Sequence, residues 1–184
     1  MISNCLILHT DYEDNADTIS KHYKSFENYG SIYYQRINLI KFNKIKNDEL
    51  LEKFDAIIIH YSIYLPKLIA KKNTNAFNNL KNFNGQKILF IQDEYRHINK
   101  TNNLILLFGI NCIYSVCSKK SANEIYKESI KKGILVKETL TGYIDEFNDN
   151  ENDFKYLKTI DVSYRGRDLT NDFRYLGKKA FEKS

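Results

Sequence analysis

The sequence has only three cysteines, Cys5, Cys112 and Cys117, and none stands in a CxxC spacing. An odd number of thiols, each inside an apolar run, argues against a disulfide framework or a structural zinc site and fits a reducing cytoplasm. Glycine is missing where nucleotide chemistry needs it. Residues 11–17, the loop after the first apolar run, contain none. Neither a GxGxxG turn nor a GxxxxGK(S/T) phosphate loop can therefore form there, so no NAD or ATP is expected in the usual place. No cofactor is expected. There is no HExxH, no close pairing of His with Cys and no GxSxG, so neither a metal centre nor a hydrolase elbow is expected. No apolar run approaches the roughly 20 residues of a membrane span. Met1–Thr10 enters an apolar run with no basic region before it and no small-residue cleavage site after it, so no export signal is expected. The formal charge of +5 comes from lysine and arginine scattered through an Asn- and Lys-rich background. Without a basic stripe interleaved with aromatics, nucleic acid is not an expected partner.

What is present is a globular composition of 42% hydrophobic, 14% aromatic and 28% charged residues over 184 positions, enough for one full-sized core. Short β-branched runs alternate with longer amphipathic polar segments, the pattern of a parallel sheet with helices on both faces. The runs are 4–10, 31–38, 55–62, 86–92 and 111–117, with a sixth at 134–139. Ala56–Ile59 and Ile88–Ile91 are apolar on consecutive residues, so both of their faces should be buried. Helices are expected over 14–28, 47–54, 73–82, 100–108 and 118–132. The last has Ser118 or Ser121 to cap its free N–H groups and Gly133 to take the left-handed turn at its end. The expected fold class is α/β, a three-layer Rossmann-like parallel sheet whose strand order begins 3-2-1-4-5.

This α/β domain should occupy residues 1–144. Beyond Leu140 the pattern breaks. Asp145, Glu146, Asp149, Glu151 and Asp153 among asparagines have too little apolar area to order themselves, which suggests a linker. The rest of 145–184 is basic, with a short helical candidate at 177–183.

In open parallel sheets ligands bind outside the carboxyl ends of the strands. Here that edge is polar. The first strand ends in His9-Thr10-Asp11, the third in His60-Tyr61-Ser62, and the fourth in Gln92-Asp93-Glu94-Tyr95-Arg96-His97. Asp93 and Glu94 beside Arg96 set up opposed pressures on pKa, as an acid/base or polar-ligand site requires; the plainer alternative is an ion pair holding the loop. A second cluster, Ser163-Tyr164-Arg165-Gly166-Arg167, places two guanidinium groups two residues apart, on one side of an extended backbone. That arrangement suits a phosphate or carboxylate, and equally a solvated loop.

Taken together, His60-Tyr61-Ser62, Phe90-Ile91-Gln92-Asp93-Glu94-Tyr95-Arg96, Leu140-Thr141-Gly142-Tyr143 and Asp161-Val162-Ser163-Tyr164-Arg165-Gly166-Arg167 resemble bacterial glycosyltransferases of the two-domain GT-B type. The order and spacing of the segments match too, from about Asp55 onward, and Tyr175–Lys179 is similar to the start of that family's second domain. The resemblance implies an N-terminal, acceptor-side domain. A nucleotide-sugar donor would be held mostly by a C-terminal domain that these 184 residues do not supply, or by a partner chain, and this chain would be inactive alone. It further implies His60, Asp93 and Glu94 as candidates for the base or for acceptor binding, with Arg165 and Arg167 on the phosphate side. His9, Tyr95, Arg96 and Tyr143 are further candidates for substrate contacts. The alternative is a non-enzymatic flavodoxin-like or receiver-like module. A receiver needs an acidic pair after the first strand, an aspartate after the third and a lysine after the fifth; the residues here are the lone Asp11 beside Thr10, His60-Tyr61-Ser62, and Lys119.

Overall fold

The computed structural model describes residues 2–10, 17–28, 30–46 and 48–140, all within the first of the two units into which the chain divides, Met1–Asp145 and Glu146–Ser184. The expectations for the acidic linker, the basic tail, the helix at 177–183, Asp11, Tyr143, Arg165 and Arg167 lie outside the described residues.

Six strands, β1 Asn4–His9, β2 Tyr33–Asn38, β3 Ala56–Ile59, β4 Gln86–Ile91, β5 Cys112–Ser115 and β6 Leu135–Glu138, form one parallel sheet. The helices are α1 Asp17–Ser25, α2 Leu39–Phe42, α3 Thr74–Asn82, α4 Ile98–Phe108, α5 Lys119–Ile125 and α6 Lys127–Lys131. This is the expected Rossmann-like α/β architecture with helices on both faces. Among the described residues no helix is long and apolar enough to cross a membrane.

The order of the strands corrects the expectation: it is β2-β1-β3-β4-β5-β6, not one beginning 3-2-1-4-5. The reason lies in the side chains. All four residues of β3 are buried, and so are Cys5–His9 of β1, so neither strand belongs at an edge. β2 instead leaves Tyr33, Gln35 and Arg36 exposed and takes the edge. The chain thus crosses β1 on its way from β2 to β3, and the sheet order reverses between β1 and β3.

Strand alternation divides the interior into two layers. One face carries Leu6, Leu8, Ile57, Ile59 and Leu89 against Leu80 of α3, Leu104, Ile105 and Phe108 of α4, and Tyr126. The other carries Cys5, Ile7, Ala56, Ile58 and Phe90, with Phe26 and Tyr34 packed against them. Each fully buried Leu, Ile or Phe contributes roughly 1.5–3 kcal/mol of hydrophobic stabilisation before entropy.

Two helical expectations also change. Residues Asp48–Lys53 form a 3-10 helix rather than an α-helix. The segment after Ser118 splits into α5 and α6 at Tyr126, whose φ of −104° and ψ of 20° leave helical geometry. Ser118 does cap α5 by accepting from the Ser121 amide, and Gly133 does end the segment with φ of 84°. At the opposite, amino edge of the sheet, buried Lys87 of β4 donates from Nζ to the Phe108 carbonyl at 2.6 Å, satisfying the last turn of α4 with a cation at its negative end.

Candidate functional site: the carboxyl edge at the switch point

Reversal of strand order opens a crevice at the carboxyl edge of a doubly wound sheet. Here it falls between His9 and His60, the residues that close β1 and follow β3. Hydrogen bonds hold the two ends in register: the His60 amide donates to the Leu8 carbonyl at 3.0 Å, the Thr10 amide to Ser62 Oγ at 3.1 Å, and Thr10 Oγ1 to the Ser62 carbonyl at 2.9 Å.

His60 is 0% exposed. Its Nδ1 accepts from the Ser62 amide at 3.1 Å, and its Nε2 lies 2.9 Å from Nδ1 of His22 on α1. An amide can only donate, so Nδ1 of His60 is unprotonated and Nε2 carries its proton, which it donates to His22. His22 then holds its own proton on Nε2. The pair is compatible with two neutral rings and incompatible with a proton added at His22 Nδ1. Burial, then the neighbouring His22 and His9, push His60 down from 6.5 to about 3. Burial likewise lowers His22. The rings of Tyr61, Phe90 and Phe26 enclose His22, with centroids 5.2, 5.5 and 5.4 Å away. Tyr61 also lies 4.0 Å from the His60 ring. Nothing in strand periodicity pointed to His22. The available signal was helical: Ile19, His22 and Phe26 recur at the spacing of one helix face, and His22 sits on that inward stripe.

On the opposite side of the sheet edge lies a cleft of about 240 Å³ with a mixed lining, polar from Ser62, Gln92, Asp93 and Arg96, aromatic from Tyr61 and Tyr64, and apolar from Ile63, Leu65, Leu89 and Ile91. The Arg96 guanidinium lies 5.9 Å from the centre of the Tyr64 ring, and Tyr64 Oη is hydrogen-bonded to His97 Nδ1. His97 precedes α4 with φ of 50°, the only described non-glycine residue at positive φ. Left-handed backbone in a residue with a Cβ costs energy, and such residues concentrate where a loop is held for a purpose. The Arg96 amide donates to the Asp93 carbonyl, closing the turn that presents Asp93.

The structure therefore brings Asp93 and Arg96 together in the cleft and separates them from His9 and His60, which lie behind the sheet edge. Tyr61 belongs to both groups. Glu94 turns inward instead: it is 6% exposed and accepts from Ser115 Oγ at 2.6 Å. Tyr95 is 70% exposed and is not among the cleft residues. Burial raises all three thiols, Cys5 to about 12, so none is poised as a nucleophile. Among the described residues no group of three His, Cys, Asp or Glu is placed to hold a metal ion.

Fold and site define a doubly wound α/β protein with a cleft at the carboxyl edge of its sheet, between the segments that follow β3 and β4. Compared with family models, with curated proteins and with solved structures, the chain shows no match.

Proposed function

We propose that the chain is the acceptor-side domain of a GT-B type glycosyltransferase, binding a hydroxyl-bearing acceptor in the cleft at the carboxyl edge. The observation that carries this reading is the convergence of Tyr61, Ser62, Asp93 and Arg96 on one small cavity, since these residues belong to the segments that resemble the family. A volume below the roughly 300 Å³ at which drug-sized sites begin suits a single small polar group or ring. In this reading Asp93 is the base. The acceptor oxygen attacks the anomeric carbon, its proton passes to the Asp93 carboxylate, and the bond to the donor phosphate breaks with the electron pair leaving on the nucleoside diphosphate. Arg96, held over Tyr64, orients the acceptor. His60 is a positioning residue: wholly buried, it acts through the Tyr61 ring it packs against. Tyr143, Arg165 and Arg167 remain the proposed contacts to substrate and phosphate, and the donor itself is bound by a further domain or chain.

The test is a titration of the ¹⁵N-labelled chain with a panel of mono- and disaccharides and, separately, with nucleoside diphosphates, to concentrations of about 10 mM, tenfold above a Kd of about 1 mM. Saccharides should move the amides of Tyr61–Tyr64 and Gln92–Arg96, and Asp93→Asn with Arg96→Ala should abolish the response. Nucleotides alone moving these amides, or no saccharide doing so, would defeat the reading.

The strand order favours a second reading, a flavodoxin-like binding module, because 2-1-3-4-5 is the order of that fold and its ligand sits at the β1/β3 switch. A flavin mononucleotide arm in the same titration, moving His9–Thr10 and His60–Ser62, would select it. A receiver variant fits less well. No aspartate follows β3, and Lys119 is the first residue of α5 rather than the end of β5. Stable labelling by acetyl phosphate would restore it.

A further inference from the structure

Next to the cleft lies a larger groove of about 750 Å³, within the roughly 300–1,000 Å³ typical of small-molecule sites. Its walls come from the residues that end β2 and form α2, and from the 3-10 turns Leu65–Ile69 and Lys71–Asn73 that lead into α3. Among the described residues three lysines line it, Lys44, Lys67 and Lys72, over an apolar surface from Leu39, Ile40 and Ala70, and none of the described lining residues is acidic. None of the three lysines forms an ion pair with another described residue.

The groove is built in advance. Asn43 joins the two walls: its Nδ2 donates to the Lys72 carbonyl at 2.6 Å, and its Oδ1 accepts from the Ala76 amide at 2.9 Å. Asn75 Nδ2 donates back to the Asn43 carbonyl at 3.0 Å, and Asn73 Nδ2 ties the Lys67 carbonyl at 2.9 Å. Two backbone segments some 30 residues apart are thus fixed by side-chain amides, leaving lysines around an apolar floor. Ile40, 70% exposed, is a large apolar side chain left to water on that floor. Three like charges in one concavity repel one another and raise the local positive potential, which an anion relieves. Lysine meets phosphate as a point charge, with no need of the planar fork that selects arginine for carboxylates.

We propose that this groove binds a phosphomonoester carried on an apolar body, the phosphate among Lys44, Lys67 and Lys72 and the body against Leu39 and Ile40. Lys67 lines the groove and the cleft alike, so the two sites adjoin at one sheet edge. The proposal stands apart from the sugar-transfer reading, because it concerns binding and is read without turnover.

The probe is phenyl phosphate, titrated into the ¹⁵N-labelled chain at low ionic strength. Inorganic phosphate, benzoate and neutral phenyl glucoside serve as comparisons. Phenyl phosphate should move the amides of Asn38–Lys44 and Lys67–Asn73 and bind more tightly than inorganic phosphate or benzoate. Lys44→Gln and Lys72→Gln, both at exposed positions, should each weaken it about two- to fivefold, the effect of one exposed ion pair. Ile40→Ser should remove the preference over inorganic phosphate while leaving phosphate affinity unchanged. Shifts mapping to other residues, or an affinity indifferent to both lysine substitutions, would overturn the site. Equal binding of phenyl glucoside would overturn the phosphate, and an Ile40→Ser chain that still prefers phenyl phosphate would overturn the apolar floor.

Discussion

His60 makes the stability of this protein depend on pH in a direction and window that can be stated. In the unfolded chain its imidazole titrates near 6.5; in the fold it stays neutral until about pH 3. Between those values the unfolded state binds a proton that the folded state does not, so stability is complete above about 6.5 and falls as the pH is lowered toward 3. One proton of difference is worth about 1.4 kcal/mol per pH unit, so between about pH 7 and pH 5 this one residue removes about 2 kcal/mol. The burial of His22 adds in the same direction. The assay is urea unfolding of wild type and His60→Gln at about pH 7, 6 and 5. Glutamine keeps an acceptor for the Ser62 amide and a donor toward His22 but does not titrate. The variant should start less stable and lose about 2 kcal/mol less than wild type over that range. Carboxylates titrate in both chains and cancel in the difference. Equal slopes would refute the argument, as would a His60 imidazole proton resonance that shifts with a midpoint near 6.

Two further outcomes follow from packing at other points. Gly85→Ala would place a Cβ 2.4 Å from the Asp55 carbonyl oxygen, itself bonded to the Gln86 amide, and 2.5 Å from the Phe83 ring. Backbone cannot yield as a flexible side chain does, so a loss of about 1–3 kcal/mol is expected in chemical denaturation, with the pairing of β3 and β4 the first to exchange amide protons. Ser115→Ala removes the hydroxyl that donates to the buried Glu94 and accepts from the Cys117 amide at 3.1 Å. A lost bond to a buried carboxylate should cost about 1.5–3 kcal/mol in chemical denaturation.

The strands could be read from the sequence because β-branched runs such as Ala56–Ile59 have one physical use, a position buried on both faces. The same observation, carried one step further, separates inner from edge strands: Ala56–Ile59, buried throughout, lies inside the sheet, whereas Tyr33–Asn38, with its exposed Gln35 and Arg36, takes an edge. The polar carboxyl edge was also legible, since strand ends can be counted along the chain. Which side of that edge each residue faces was not. His60 and Asp93 are separated by alternation across the sheet and by the turn at Asp93–Arg96, and Glu94 turns inward because Ser115, on the neighbouring strand, offers it a donor. His22 went unread because its role comes from a contact 38 residues away, which helix periodicity marks only as inward-facing.

Tyr61 gives the molecule a means of reporting on itself. The sequence has no tryptophan, so light-based observation falls on its 14 tyrosines together, but the magnetic field of one of these rings falls on two specific neighbours. The phenol that borders the cleft also lies 4.0 Å from the His60 ring and 5.2 Å from that of His22. A guest that tilts this ring changes the ring current felt by two imidazoles it never touches. Occupancy in front of the sheet becomes visible as displaced histidine resonances behind it, with no label added.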